Sequence, residues 1–376
     1  MKKKFNAIFM SMVLFFSVVL MSCNDVDAAD FSRLYGSDRY GTSKAISSEF
    51  SSSSVAIVVT GQDYPDALSA TSLAKKYNAP IILTNPTSLN SDSESELKRL
   101  KTTKVYIIGG SGAISTNVED RIKSLGISTE RVWGDDRYTT AVEVAKKVGT
   151  DNGIFVATGL NYADALSVGP IAAKLGMPIL LVEKDSVNTS VNNLIKSDNI
   201  NKSYVVGGTS VISNNVANIF PNATRISGEN RYATNSSIIK TFRTSLDFSN
   251  AYVATGYNFP DALSGGALAA LNSNPIVLTS TNIEQETKDI IRNNDIEKIT
   301  ILGGTTVISD ATANKLNTQI SNGDVDENTP VWIANTGSAV YHDSIECSNM
   351  KNPIKIFLKD ARLQELRPCS KCNPPR

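Results

Sequence analysis

Thr158-Gly159-Leu160-Asn161-Tyr162-Ala163-Asp164-Ala165-Leu166-Ser167 is the stretch on which the fold turns. An apolar run precedes it, and Ala165 to Leu175 after it carries good helix formers at helical spacing. Short aliphatic runs without polar alternation read as strands buried on both faces, so the stretch reads as strand, turn and helix. It recurs as Thr60-Gly61 to Asp66-Ala67-Leu68-Ser69 and as Thr255-Gly256 to Asp261-Ala262-Leu263-Ser264, with an aromatic residue between the two parts in every copy.

Three further motifs keep the same order around each copy. Upstream stand Gly36-Ser37-Asp38-Arg39-Tyr40, Gly134-Asp135-Asp136-Arg137-Tyr138 and Gly228-Glu229-Asn230-Arg231-Tyr232. Downstream, a proline introduces three aliphatics: Pro80-Ile81-Ile82-Leu83, Pro178-Ile179-Leu180-Leu181 and Pro275-Ile276-Val277-Leu278. Glycine pairs close each set at Gly109-Gly110, Gly207-Gly208 and Gly303-Gly304. The period is roughly 95 to 98 residues, the size of a small domain rather than a solenoid repeat. Runs such as Ile57 to Val59, Ile179 to Leu181 and Tyr204 to Val206 alternate with helical stretches such as Thr139 to Val148. That alternation predicts an α/β fold of three tandem modules, 32–128, 129–224 and 225–320, each a doubly wound parallel sheet.

The flanks read differently. Lys2, Lys3 and Lys4 precede a largely apolar run from Ile8 to Met21, so residues 1–28 are expected to be an export signal. Val26-Asp27-Ala28 offers an ordinary cleavage site; alternatively, Leu20-Met21-Ser22-Cys23 resembles a lipobox in which Cys23 carries lipid. The expected location is secreted, at the cell wall or surface. Residues 321–330 are polar and acidic and read as a linker, leaving a short, mildly basic unit at 331–376. A unit of that size needs a staple to fold.

Composition narrows the function. Lys plus Arg and Asp plus Glu both number 37, which removes the footprint of a nucleic-acid or polybasic membrane binder. Hydrophobic residues at 41% and charged residues at 20% are those of a folded, globular chain. The repeated region has no histidine, no Gly-x-Ser-x-Gly, no Gly-Lys-Ser/Thr and no Gly-x-Gly-x-x-Gly, so common hydrolase and nucleotide chemistry lacks its parts and no enzyme is expected. Arg39, Arg137 and Arg231 with Asp66, Asp164 and Asp261 are the repeated charged groups. On one reading each Asp is a helix N-cap and each Arg is scaffolding; on the other they form a polymer-binding anion clamp, used weakly three times over. The glycine pairs read as tight turns.

The four ordered motifs resemble the clostridial-type cell wall binding repeat family, type 2, over roughly residues 32 to 320. The resemblance implies non-covalent attachment to an anionic secondary polymer of the Gram-positive wall, and three modules packed around a pseudo-threefold axis. It also makes the aliphatic triplet an anchoring motif, from whose commonest form, Ile-Leu-Leu, Ile82 and Val277 depart conservatively. Read physically, those aliphatics are core strands that would act through module integrity.

In the C-terminal unit the sole histidine, His342, stands before Cys347, and Cys369-Ser370-Lys371-Cys372 follows. This is the spacing of a Cys3His zinc site, and the odd number of cysteines after Cys23 disfavours a disulfide framework. Gly337 to His342, Cys347, an expected helix from Ile356 to Leu366, and Arg367 to Pro375 resemble the small Ada-type metal-binding unit found at the ends of several bacterial secreted nucleases and competence-like proteins. A zinc-stapled α+β unit displayed at the surface is expected, with other surface proteins as further partners. DNA contact by the basic tail, in an accessory of a nucleic-acid or wall-processing system, is the alternative.

Overall fold

The computed structural model describes residues 31–321, 329–334, 339–347, 350, 352–364, 366–369, 371, 372 and 374. The expected signal segment with Cys23 and most of the expected linker lie outside the described residues. First come β1 (Phe31–Leu34), α1 (Arg39–Ser47), β2 (Val55–Thr60), a 3-10 turn (Asp66–Ser69), α2 (Ala70–Lys76), β3 (Ile81–Thr84), α3 (Ser91–Arg99), β4 (Lys104–Ile108), α4 (Thr116–Ser124) and β5 (Ser128–Val132). The second round is α5 (Arg137–Val148), β6 (Ile154–Thr158), α6 (Ala163–Lys174), β7 (Ile179–Val182), α7 (Thr189–Ser197), β8 (Ser203–Val206), α8 (Asn214–Ala217) and β9 (Ala223–Ile226). The third is α9 (Arg231–Thr241), β10 (Ala251–Thr255), α10 (Pro260–Asn272), β11 (Ile276–Thr279), α11 (Gln285–Arg292), β12 (Ile299–Leu302) and α12 (Asp310–Ser321).

These strands build three parallel sheets of one design, ordered β3-β2-β4-β5, β7-β6-β8-β9 and β11-β10-β12-β1. Sheet and repeat are out of phase by one strand. β5 and β9 open the second and third repeats yet pair with β4 and β8 of the repeat before. The third sheet takes its fourth strand from the far end of the chain: Phe31 lies opposite Ile299 and Leu34 opposite Leu302. The modules therefore form a closed cycle around a pseudo-threefold axis.

The Gly-x-x-Arg-Tyr motif is the turn by which the chain crosses between modules. A side chain on Gly36, Gly134 or Gly228 would lie 2.2 to 2.4 Å from the residue five positions on, so only glycine fits the crossing. Asp38, Asp136 and Asn230 then cap α1, α5 and α9 by accepting from backbone N–H groups. The glycine N–H donates in turn to Thr42, Thr140 and Thr234.

The central helices α2, α6 and α10 pack pairwise. Thr71 fills the crossing from the first copy, while Gly169 and Gly266 stand at the equivalent places; a β-carbon on either would come within 3.2 Å of the threonine. Tyr64, Tyr162 and Phe259 cluster near the axis with ring centroids 5.4, 5.7 and 6.2 Å apart. The first two are edge-on pairs, which contribute about 0.5–1.5 kcal/mol each beyond their burial.

Pro80 to Leu83, Pro178 to Leu181 and Pro275 to Leu278 run into β3, β7 and β11, and every aliphatic among them is buried. These strands are sheet edges, covered where one module meets another: β3 by α10, β7 by the 3-10 turn of the first module, and β11 by α6. Ser43 closes the β3 edge by donating to Ile81 O and accepting from Leu83 N, and Asn235 does the same for Ile276 and Leu278. Each buried aliphatic side chain contributes roughly 1.5–3 kcal/mol, here divided between module and ring.

Beyond the ring, β13 (Pro330–Ile333), β14 (Val340–His342), β15 (Ile354–Phe357), α13 (Leu358–Leu363) and β16 (Arg367–Pro368) form a mixed sheet ordered β15-β13-β14-β16 with one short helix. The helix expected from Ile356 to Leu366 is shorter. Ile354–Phe357 is instead a strand antiparallel to β13, because the alternating apolar side chains of Ile-Lys-Ile-Phe suit a pleated edge. Only Val331, Tyr341, Leu358 and Ala361 form its fully buried apolar cluster among the described residues. No described helix is long and apolar enough to cross a membrane.

Candidate functional site

The repeated charges meet at the three seams between modules. Arg39, Arg137 and Arg231 are the first residues of α1, α5 and α9, and each donates from Nη1 to the carbonyl of its own Thr-Gly turn: Gly61, Gly159 (2.6 Å) and Gly256. That glycine lies against the motif tyrosine, 2.7 Å from where its β-carbon would stand, which fixes the turn under the guanidinium. Across the seam the arginine faces the preceding module. Arg39 Cζ sits 5.8 Å from the Phe259 ring centroid and Arg231 Cζ 5.7 Å from that of Tyr162.

The aspartates do not cap helices. The N-caps of their segments are Pro65, Tyr162 and Phe259, none with a side-chain cap bond, and each Asp sits inside the first turn. The carboxylate instead lies over the first glycine of the Gly-Gly turn. Oδ2 of Asp66, Asp164 and Asp261 is 2.4 to 2.8 Å from where a β-carbon on Gly109, Gly207 or Gly303 would be. These glycines have φ of +112°, +114° and +104°, so both backbone and space require glycine.

Burial pushes all three carboxyls up. Asp164 and Asp261 titrate at about 6, raised by burial and opposed by Arg231 and Arg39 respectively. Asp66 is raised by the same cause and opposed by a hydrogen bond from Thr140 and by Arg137. In each case the opposing arginine belongs to the next module around the cycle, so each Asp–Arg set is an intermodular unit, with Arg39 completing the third.

A second arginine escaped the sequence reading. Arg33, Arg131 and Arg225 stand three residues before each motif glycine and donate to the carbonyls of Gly303, Gly109 and Gly207. Their threefold recurrence was the signal available. They fasten the fourth strand of each sheet to the turn that carries the aspartate.

In the C-terminal unit His342, Cys347, Cys369 and Cys372 converge, with ligand atoms all within 4.8 Å of one another. Cys347 Sγ lies 3.7 Å from Cys369 Sγ, and Cys372 Sγ lies 3.6 Å from His342 Nδ1. β14 carries the histidine, and Cys369 N donates to Tyr341 O, which holds the second cysteine pair beside it. Burial lowers the His342 pKa and favours the neutral imidazole, the form that ligates. This donor set can hold a metal ion.

A family model described as cell wall binding domain 2 matches residues 33–119, 131–217 and 225–313. N-acetylmuramoyl-L-alanine amidase LytC of Bacillus subtilis (strain 168) is 41% identical over 286 residues, 76% of this chain and 57% of that protein. The amidase enhancer of the same organism is 31% identical over 289 residues, 76% of this chain and 40% of that protein. Among solved structures, Cwp6 from Clostridium difficile superposes with a TM-score of 0.73 at 29% identity, covering 78% of this chain and 48% of Cwp6. Cwp8 from Clostridium difficile gives a TM-score of 0.70 at 30% identity, covering 77% and 51%. The chain spans about two fifths to three fifths of the length of these curated relatives.

Proposed function

The chain belongs to the cell wall binding domain 2 family, and from that premise we propose that it is a non-enzymatic surface protein whose ring holds an anionic secondary polymer of the Gram-positive wall. The observation that carries this reading is the threefold seam, where one half-buried arginine and one carboxyl recur in each copy. Arg39, Arg137 and Arg231 supply the positive charge for phosphate or carboxylate groups of the polymer. Asp66, Asp164 and Asp261 set the net charge of each seam. Weak sites repeated along a polymer add by effective concentration. Residues 1–28 act as an export signal on this reading, and the ring keeps the exported protein at the surface.

Zinc is the ion we assign to the C-terminal unit. A tetrahedral site with Zn–S of about 2.3 Å has S···S edges of about 3.8 Å, which the 3.7 Å Cys347–Cys369 separation fits. Zinc would be held by the three thiolates and His342 Nδ1 and would act as a structural staple, displayed by the ring.

The expected result is co-sedimentation of the chain with purified Gram-positive walls and its loss once acid has stripped their secondary polymer. Equal binding to bare peptidoglycan would refute the polymer reading.

Binding should also depend on pH. In the folded chain Asp164 and Asp261 hold their protons up to about 6, above the ordinary 3.8. Below that pH the carboxyls are neutral and the arginines unopposed, so polymer binding is expected to be tighter at pH 5 than at pH 8. Folding follows the same sign: the folded state binds the extra protons, so stability from these groups falls as pH rises from about 4 through 6. Asp164→Asn with Asp261→Asn should flatten both profiles, read by sedimentation and by thermal melting; profiles unchanged by the double substitution would count against this account.

A further inference from the structure

Two exposed aromatic rings repeat the seam geometry without a part in it so far. Trp133 and Tyr35 immediately precede the motif glycines Gly134 and Gly36 and are 50% and 57% exposed. Trp133 lies over Gly110, with Cε3 3.6 Å from where that glycine's β-carbon would be; Tyr35 lies over Gly304, with Cδ2 at 3.9 Å. The neighbouring glycines, Gly109 and Gly303, carry the carboxylates of Asp66 and Asp261. At two seams, therefore, one Gly-Gly turn bears an acid on its first residue and an open aromatic ring on its second. The second seam has Ser227 in that place. Its exposed ring, Tyr257, comes from a different element, the turn after β10.

A single exposed ring needs no explanation, but the same placement at two equivalent positions, each over the Gly-Gly turn beside a charged pair, points to a contact surface. Trp and Tyr offer broad, rigid area at small entropic cost, and the weakly polarised C–H face of a pyranose ring matches their electron-rich face. We infer that Trp133 and Tyr35 are stacking platforms for pyranose residues of the wall polymer, each placing a sugar so that its charged substituent reaches the seam arginine: Arg137 for Trp133 and Arg39 for Tyr35. The ring thus has two saccharide-reading seams and a third that lacks this platform. This rests on the wall-polymer reading above and adds the chemistry of the unit recognised.

The test uses the full chain and two probes: secondary polymer released by acid from purified Gram-positive walls, and inorganic polyphosphate, an anion without sugar rings. Trp133→Ala and Tyr35→Ala should each weaken polymer binding about 3- to 10-fold, the scale of one aromatic contact, and leave polyphosphate binding unchanged. Ser227→Trp should strengthen polymer binding, a gain that no loss of folding can imitate. With Trp332→Phe, Trp133 becomes the sole tryptophan, and its emission should change on addition of polymer. Polymer binding unaffected by both alanine variants, or an equal loss toward polyphosphate, would overturn the inference while wall binding stood. A wild-type chain that binds neither intact walls nor released polymer would bring down the wall-polymer reading itself.

Discussion

Deletion of residues 133–226, which joins Val132 to Ser227, is expected to abolish wall retention rather than reduce it by a third. The segment carries α5 through β9 and with them the second sheet. Every seam needs two modules: Arg137 and Asp66 come from different repeats, as do Arg231 and Asp164. The deletion therefore destroys two seams outright. It also bares the faces of α2 and α10 that α6 had covered. Loss of linked sites alone predicts a fall of at least about a hundredfold in retention, and the opened ring should aggregate because buried apolar surface is exposed. Sedimentation with walls, together with light scattering, checks both. A two-module chain that stays monomeric and holds walls two thirds as well would contradict the cyclic account.

Chelation is expected to unfold the C-terminal unit and leave the ring intact. With four fully buried apolar residues in its cluster among those described, the unit has little of its own to hold it. Structural zinc in small domains contributes on the order of 10–16 kcal/mol at neutral pH, far more than that cluster supplies. Metal analysis of the full chain should find one zinc ion, and Cys372→Ser should lose it. Amide exchange should then rise sharply at β13 to β16 while β2 to β12 keep their protection. Retention of the β14 amides in the presence of chelator, or a Cys347–Cys369 disulfide in protein taken from cells, would dismiss the zinc staple.

Most of the fold could be read from the chain because its signals are local and said three times. Ile57 to Val59, Ile179 to Leu181 and Tyr204 to Val206 fall within β2, β7 and β8, and Thr139 to Val148 falls within α5. What escaped is non-local. Phe31–Leu34 can be recognised as the counterpart of β5 and β9, but nothing within it says that it pairs with Ile299–Leu302 at the other end of the ring. The seam charges were legible as residues, not as partners: Asp164 shares a repeat with Arg137 yet faces Arg231. The capping role that one of the two readings gave Asp66, Asp164 and Asp261 belongs to Asp38, Asp136 and Asn230. Asp and Asn both occur at those positions, because capping asks only for a short polar side chain with a free acceptor.

The borrowed strand β1 also decides how the molecule carries load. A pull directed along the strand at Phe31 meets a parallel neighbour in register over four residue pairs, Phe31–Ile299 to Leu34–Leu302. Tension along a strand held in this way shears all its ladder hydrogen bonds together instead of opening them one after another. Arg33 pins the same strand to Gly303 O at 2.8 Å and to Asp310 of α12 at 3.0 Å. The clamp is shared by the first and last repeats, so a shear between those two repeats must break the whole ladder at once before the cycle can open.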